Sequence, residues 1–408
     1  VGRDLAGGPF FHDPFQLYAA GVLTNPNMTV IGQIGRGKSA LVKSYLYRQS
    51  AFGRRIAVLD PKGEYAELAR ALGAEPIKLS PAGGTRVNPL DSFSASGDGR
   101  AIAAVRRQRL TLLGALAEAT MKRRLEPVER LAVELALDHC TERAAEGRHR
   151  RSGDGAGGCW AGPPTLAEVV EALLAPPQAA ARAGGLSREG LAAEGRSAGL
   201  ELRRLVLGDL AGMFDGRTTA TAAGGSGVLV LDLSEAYHSD ALSALMVCAA
   251  AWLQAMTAAP TDEAAPKTLF VVDEAWAVLS DVAVARFLRS SFKLARARGL
   301  ANIAVCHRAS DLTAAGAAGS EAVQLAEGLL ADSETVVCYA QPASEITALS
   351  SLLGCSEKEL EYLPRLGRGL ALWRVGDRRF LVENLLSKRE RSLVDTDARL
   401  LDSPARYG

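Results

Sequence analysis

Cysteine and histidine are scarce, six and five in a chain of 408 residues. No CxxC occurs, and no metal-like pairing joins the two residue types. A structural zinc module and a disulfide scaffold are therefore excluded, which fits a reducing cytosol. Charge of one sign is also lacking. A formal net charge of +1 rules out polyanion binding by bulk charge, though not a local basic lining. No signal peptide is visible. Only residues 241–261 approach membrane-spanning length without a charge, and their alanine, serine, threonine and glutamine would gain little from insertion. That stretch is expected to form a helix packed on a sheet face. What remains is an ordinary globular composition, 48% hydrophobic and 23% charged, long enough for two or three domains.

The densest signal is GQIGRGKSALVKSY at residues 32–45. Gly32, Gly37, Lys38 and Ser39 fit G-x-x-x-x-G-K-[ST]. The apolar, β-branched run Met28 to Ile31 precedes them, and Leu41, Val42, Tyr45 and Leu46 follow at helical spacing. Strand, glycine loop and helix build a phosphate cradle. Gly32, Gly35 and Gly37 let the backbone close on phosphate oxygens, and the N–H groups from Gly32 through Gln33, Ile34, Arg36 and Ala40 line the seat. Lys38 would reach the β and γ phosphates of ATP, and the Ser39 hydroxyl would ligate Mg2+.

Further apolar runs read as buried strands: Arg55 to Leu59, Gly227 to Leu231, Leu269 to Val272, Asn302 to Val305 and Thr335 to Cys338. Helical patterns between most of them imply βαβ units and a mainly parallel sheet in an α/β fold. Gly376-Asp377 separates Leu370–Val375 from Phe380–Asn384 as the turn of an antiparallel hairpin. Between residues 93 and 216 the strand-like runs vanish and helical spacing takes over. This predicts an all-α insertion, 93–216, in a nucleotide-binding domain made of 1–92 and 217–408. Residues 148–164 and the Ala/Gly/Pro-rich run 175–199 read as mobile linkers. The insertion's basic clusters, Arg106-Arg107 and Lys122-Arg123-Arg124, are diluted by acids; they read as solvated helix faces, with DNA or partner contact the alternative.

Hydrolysis needs Mg2+ geometry and a base for water. LFVVDEAW at 269–276 places Asp273 at a strand's carboxyl edge, where it would hold Mg2+, and Glu274 beside it as the base. A carboxylate pair there can also cap the helix that follows. Arg296 and Arg298 end a helix before the next strand. One of them can serve as an arginine finger toward a neighbouring subunit's nucleotide, or both can simply oppose the helix dipole. His307 follows its strand directly, at a position able to sense a γ-phosphate or merely to sit exposed.

Several motifs fall in one order: Asn25-Pro26-Asn27, Asp60-Pro61-Lys62-Gly63-Glu64-Tyr65, Asn88-Pro89-Leu90-Asp91, Phe214-Asp215-Gly216-Arg217-Thr218, Asp273-Glu274-Ala275-Trp276, and Gly367 to Trp373. In this they resemble the VirB/TraC-type ATPases of type IV secretion and conjugation, within the HerA/FtsK superfamily of RecA-like motors. The likeness covers both ends of the chain and is weak across 93–216.

It implies a RecA-like P-loop NTPase that hydrolyses ATP with Mg2+, working as a homo-hexamer or as a monomer until docked. It also implies a cytoplasmic station on the inner face of the cell membrane, secretion-channel proteins as partners, DNA or protein as cargo, and an N-terminal docking domain outside this chain. Lys38, Ser39, Asp273 and Glu274 take the roles given above, with Arg296 the first choice of finger. The family usually has glutamine where His307 stands, which puts the coupling of hydrolysis to movement in doubt. Asp60 and Lys62 are expected to line the catalytic region without an assigned step. Two other functions fit the same motifs: a DNA-pumping HerA/FtsK-like or coupling-protein motor, and a nucleotide-gated assembly scaffold with weak hydrolysis.

Overall fold

The computed structural model describes residues 1–92, 99–152, 162–208, 210–220, 227–257, 266–279, 281–295, 299–308, 320–346, 349–350 and 354–394. Its strands are β1 (Gly2–Asp4), β2 (Pro9–Phe10), β3 (Met28–Ile31), β4 (Arg55–Asp60), β5 (Ile77–Lys78), β6 (Val228–Asp232), β7 (Thr268–Val272), β8 (Leu300–Cys306), β9 (Thr335–Cys338), β10 (Leu370–Val375) and β11 (Arg378–Asn384). The helices used below are α1 (Pro14–Ala19), α2 (Lys38–Ser50), α3 (Ala66–Ala71), α4 (Gly99–Met121), α5 (Pro127–Ser152), α6 (Leu166–Leu174), α7 (Gln178–Ala183), α8 (Arg188–Leu207), α9 (Leu242–Thr257), α10 (Ala275–Leu279), α11 (Val282–Ala295) and α12 (Glu321–Ala331).

All the strands join one sheet in the order β2-β1-β11-β10-β9-β3-β8-β7-β4-β6-β5. From β9 to β5 every neighbouring pair is parallel. The strands beyond β9 are antiparallel, and β10 and β11 turn at Gly376-Asp377 as expected. Side-chain alternation explains why the parallel strands are apolar throughout, since both faces are covered. In β3, Val30 enters the core beneath α2 and α3, while Ile31 enters the opposite core. Of the uncharged 241–261 stretch, Leu242–Thr257 form α9, buried along that second face beside β4 and β6, and 258–261 lie outside the described residues. Among the described residues no helix is long and apolar enough to cross a membrane.

Between β5 and β6 the described residues form helices and no strand. The chain leaves and re-enters this excursion through a closed neck. Val87 N–H donates to Met213 C=O at 2.9 Å, Arg86 pairs with Asp215 at 2.8 Å, and Thr218 donates its hydroxyl to Asp91 at 2.6 Å. The helices beyond share one continuous core with the sheet face.

Residues 175–199, expected as linker, are helical instead over α7 and most of α8. Ser187 caps α8 by accepting from Gly190 N–H, and alanine favours the helix. Two of the glycines that suggested flexibility are contact positions. A Cβ on Gly195 would stand 2.9 Å from Leu173 O, and one on Gly199 2.8 Å from Leu174 Cδ2. Of the 148–164 stretch, 153–161 lie outside the described residues.

Four residues of the basic clusters of this region are held in intramolecular pairs. Arg106 binds Asp138 and Glu134, and Arg123 binds Glu129. Lys122 binds Asp281 and Arg124 binds Glu321, tying the helical region to α11 and α12.

Candidate functional site

A run of apolar residues ends β3 at Ile31, and the chain turns through the glycine loop into α2. Gly35 and Gly37 adopt φ of 78° and 113°, where a side chain would be strained. Gly37 caps α2 without offering a side chain to the N–H groups of its first turn. Together with the helix dipole they form an anion seat. Lys38 is buried, and its ammonium donates to the carbonyls of Gly32 and, at 3.0 Å, Gln33. Burial, the largest influence, brings its pKa down to about 8, against the raising pull of Asp273 and Glu274. Ile34 is exposed, and Arg36 reaches Gln33 Oε1. The Gly367–Gly369 stretch leans on the same loop, because Gly369 N–H donates to Arg36 C=O at 3.0 Å.

Strand order brings the acidic pair to this seat. Both β3 and β7 flank β8 in parallel, so the loop, His307 and Asp273-Glu274 emerge on one carboxyl edge. Asp273 is buried; burial first, then the charge of Glu274, raises its pKa to about 6. Among the described residues it forms no ion pair, and it accepts Glu274 N–H at 2.9 Å. A buried carboxylate with no ion pair among the described residues, across β8 from the Ser39 hydroxyl, suits Mg2+, which takes one or two protein ligands with phosphates and water.

Glu274 sits at φ 52°, a left-handed conformation that is costly for a side-chain-bearing residue and common at functional turns. The bend turns its carboxylate away from that of Asp273, into a set of donors. Lys62 Nζ lies 2.5 Å from Oε1, His307 Nε2 lies 2.6 Å from the same oxygen, and the Trp276 indole donates to Oε2. Burial alone would raise this carboxyl, yet the three donors together bring its pKa to about 2. His307 therefore carries its proton on Nε2, and the 3.4 Å approach of Lys62 to that nitrogen is proximity rather than a bond.

Asp60 closes the adjoining turn. Its carboxylate accepts the N–H groups of Glu64 at 3.1 Å and Tyr65 at 2.9 Å. Burial, helped by the charges of Asp273 and Asp232 and opposed by those two bonds, lifts its pKa to about 7. Behind the turn, fully buried Lys43 faces Glu64 at 3.9 Å. The structure thus gathers Lys38, Ser39, Asp60, Lys62, Asp273, Glu274 and His307 on one edge. Arg296 and Arg298 lie outside the described residues. Sequence reasoning missed the grip of Lys62 and Trp276 on Glu274. The Lys in Asp60–Tyr65 and the Trp in Asp273–Trp276 were visible, but the first meets Glu274 only because β4 lies beside β7, and the second only through the local turn at Glu274.

No family model matches the sequence, and no curated protein does. Among solved structures, VirB4 of Thermoanaerobacter pseudethanolicus superposes with a TM-score of 0.71 at 22% identity, over 96% of this chain and 97% of that one. The plasmid coupling protein TrwB with a non-hydrolysable GTP analogue gives 0.59 at 15% identity, over 89% and 86%. TrwB in complex with ADP and Mg2+ gives 0.56 at 14% identity, over 89% and 87%. The fold is the RecA-like P-loop NTPase fold of these proteins.

Proposed function

We propose that this chain is an ATP-hydrolysing motor that energises type IV secretion or conjugative transfer across the bacterial envelope. The observation that carries the reading is the shared edge: Lys38, at the start of α2 after β3, and the Asp273-Glu274 pair, after β7, lie past strands that flank β8, close enough for both acids to act on the Lys38 ammonium. The VirB4-like fold over nearly the whole chain supports the secretion assignment.

In this reading the α2 amides and Lys38 hold the β and γ phosphates, and Ser39 and Asp273 hold Mg2+. The metal supplies charge neutralisation on the phosphates. Glu274 takes a proton from water as the water oxygen bonds to the γ phosphorus and ADP leaves. Hexamers with nucleotide at subunit boundaries, Arg296 as the finger with Arg298 second to it, and a cytoplasmic station against secretion-channel proteins complete the proposal. Ion pairing of Arg106, Lys122, Arg123 and Arg124 within the chain leaves direct duplex pumping with less support.

The test is ATP binding and turnover by the full chain, with and without DNA. Lys38→Ala should lose nucleotide binding. Glu274→Gln should bind ATP yet hydrolyse it about 10²- to 10⁴-fold more slowly. A chain that binds ATP without turnover would leave only the scaffold function, and unchanged ATP affinity in Lys38→Ala would remove the phosphate seat itself.

A further inference from the structure

Glu274 cannot take a proton from water through Oε1 as it stands. A carboxylate oxygen offers two lone pairs, and those of Oε1 are used by Lys62 at 2.5 Å and His307 at 2.6 Å. The other oxygen accepts one bond, from the Trp276 indole, in a side chain that is 3% exposed. The side chain of Glu274 is 3% exposed and that of Lys62 is 29% exposed, so the ammonium is the more solvent-accessible partner of the pair.

The backbone beneath Lys62 is fixed. Asp60 accepts the two N–H groups that close the turn, Gly63 takes φ 72°, and Leu233 N–H donates to Asp60 C=O at 2.9 Å. The side chain above it is a flexible stem of four methylenes ending in a compact charge, 5.7 Å from the centre of the Tyr237 ring. Its charge already reaches Lys38, whose ammonium it opposes. A terminal phosphate lying on Lys38 is therefore a second anion within the electrostatic range of Lys62.

We propose that Lys62 is a switch residue for this site: it covers Glu274 until a nucleoside triphosphate offers its terminal phosphate, then moves to that phosphate and frees Oε1 to accept a proton from water. A triphosphate adds charge that a diphosphate lacks, so ADP leaves Lys62 on Glu274. The transfer breaks one ion pair and forms another with no covalent change. His307 and Trp276 stay in place and hold the carboxylate aimed. This inference rests on the ATPase reading and deepens it by making base activation conditional on the terminal phosphate.

The full chain carrying fluorotryptophan tests this by ¹⁹F NMR. The Trp276 resonance, one of four tryptophans, is assigned with Trp276→Phe. The probes are Mg2+-ATPγS and Mg2+-ADP. In the unsubstituted protein the Trp276 signal should shift with ATPγS and stay with ADP. In Lys62→Met it should start displaced and move no further. Lys62→Met uncovers Glu274 but also takes the ammonium off the terminal phosphate, so that variant should lose about a hundredfold in kcat with KM changed less than about threefold. Lys62→Arg should recover part of kcat and restore the shift, which a folding defect would not do.

Turnover of Lys62→Met within twofold of the unsubstituted protein overturns the proposal, and so does an equal Trp276 shift with ADP and ATPγS. If Lys62→Met is unfolded, the nucleotide comparison in the unsubstituted protein still decides. Failure of the unsubstituted chain to bind ATPγS overturns the ATPase reading, and this proposal with it.

Discussion

Asn27 accepts hydrogen bonds from both the backbone N–H and the side-chain amide of Asn302, 275 residues later in the chain, at 3.1 and 3.0 Å. Its own amide donates to Asp332 C=O at 3.2 Å and Phe292 C=O at 3.4 Å. One buried side chain thus joins the start of β3 to β8, α11 and α12, and sets the register in which the phosphate loop meets the β8 edge. Asn27→Leu should cost about 2–4 kcal/mol, because it strands several buried partners at once. Urea denaturation reads this directly, and a loss under about 0.5 kcal/mol would show that the bridge is ornamental.

Gly32 faces Tyr339 so closely that an added Cβ would lie 2.4 Å from the tyrosine Cβ. Neither residue can yield easily, since Tyr339 N–H is bonded to Ile31 C=O at 2.8 Å and Gln33 N–H to Ala340 C=O at 3.1 Å. Gly32→Ala must therefore push the loop off its strand, and ATP affinity should fall at least about tenfold, roughly 1.4 kcal/mol. Gly84→Ala, where nothing lies within 4 Å of the added carbon, is the control. Equal dissociation constants for the two variants would count against the loop geometry.

Sequence alone revealed the halves of this site because each is local. Glycines at fixed spacing after Met28–Ile31 and an acidic pair after Leu269–Val272 announce their chemistry without tertiary information. The βαβ pattern also predicts that both lie on the carboxyl edge of one parallel sheet, but not that β8 inserts between β3 and β7, an order no local pattern encodes. For the same reason Lys62 had no assigned step: its partner is at the end of another strand. The short edge strands β1 and β2 carry too few residues for a period-2 signal. In α8, glycine was read as flexibility when Gly195 and Gly199 instead permit close approach to α6.

His12 offers a pH signature independent of the nucleotide site. Its ring is buried between Tyr45 and Trp373, with Nδ1 at 3.0 Å from Tyr45 Oη and Nε2 at 3.1 Å from Thr335 Oγ1. Burial lowers its pKa from 6.5 to about 4, against the raising effect of Asp13. The unfolded chain thus binds a proton that the folded chain refuses. The neutral ring's contribution is complete above about 6.5 and is lost as pH falls toward 4, amounting to at most about 3 kcal/mol. His12→Gln should flatten the stability profile over that window relative to the unsubstituted protein. Parallel profiles from urea titrations at pH 7 and 4.5 would contradict the assignment.

The neck of the helical excursion makes the last prediction, because it separates stability of that region from nucleotide binding. Thr218 Oγ1 accepts Asn88 N–H at 2.8 Å while donating to Asp91 at 2.6 Å. The Asn88 amide in turn donates to Pro164 C=O at 3.1 Å. One hydroxyl therefore fastens both crossings of the neck. Thr218→Val keeps the shape and removes the hydroxyl, leaving an N–H and a partly buried carboxylate without that partner, at a cost of about 2–3 kcal/mol. Hydrogen exchange should accelerate at residues 86–91 while ATP affinity stays within about twofold, since the phosphate seat is built from β3 and α2. Exchange unchanged at those amides would mean that the shared core, and not the neck, closes the excursion.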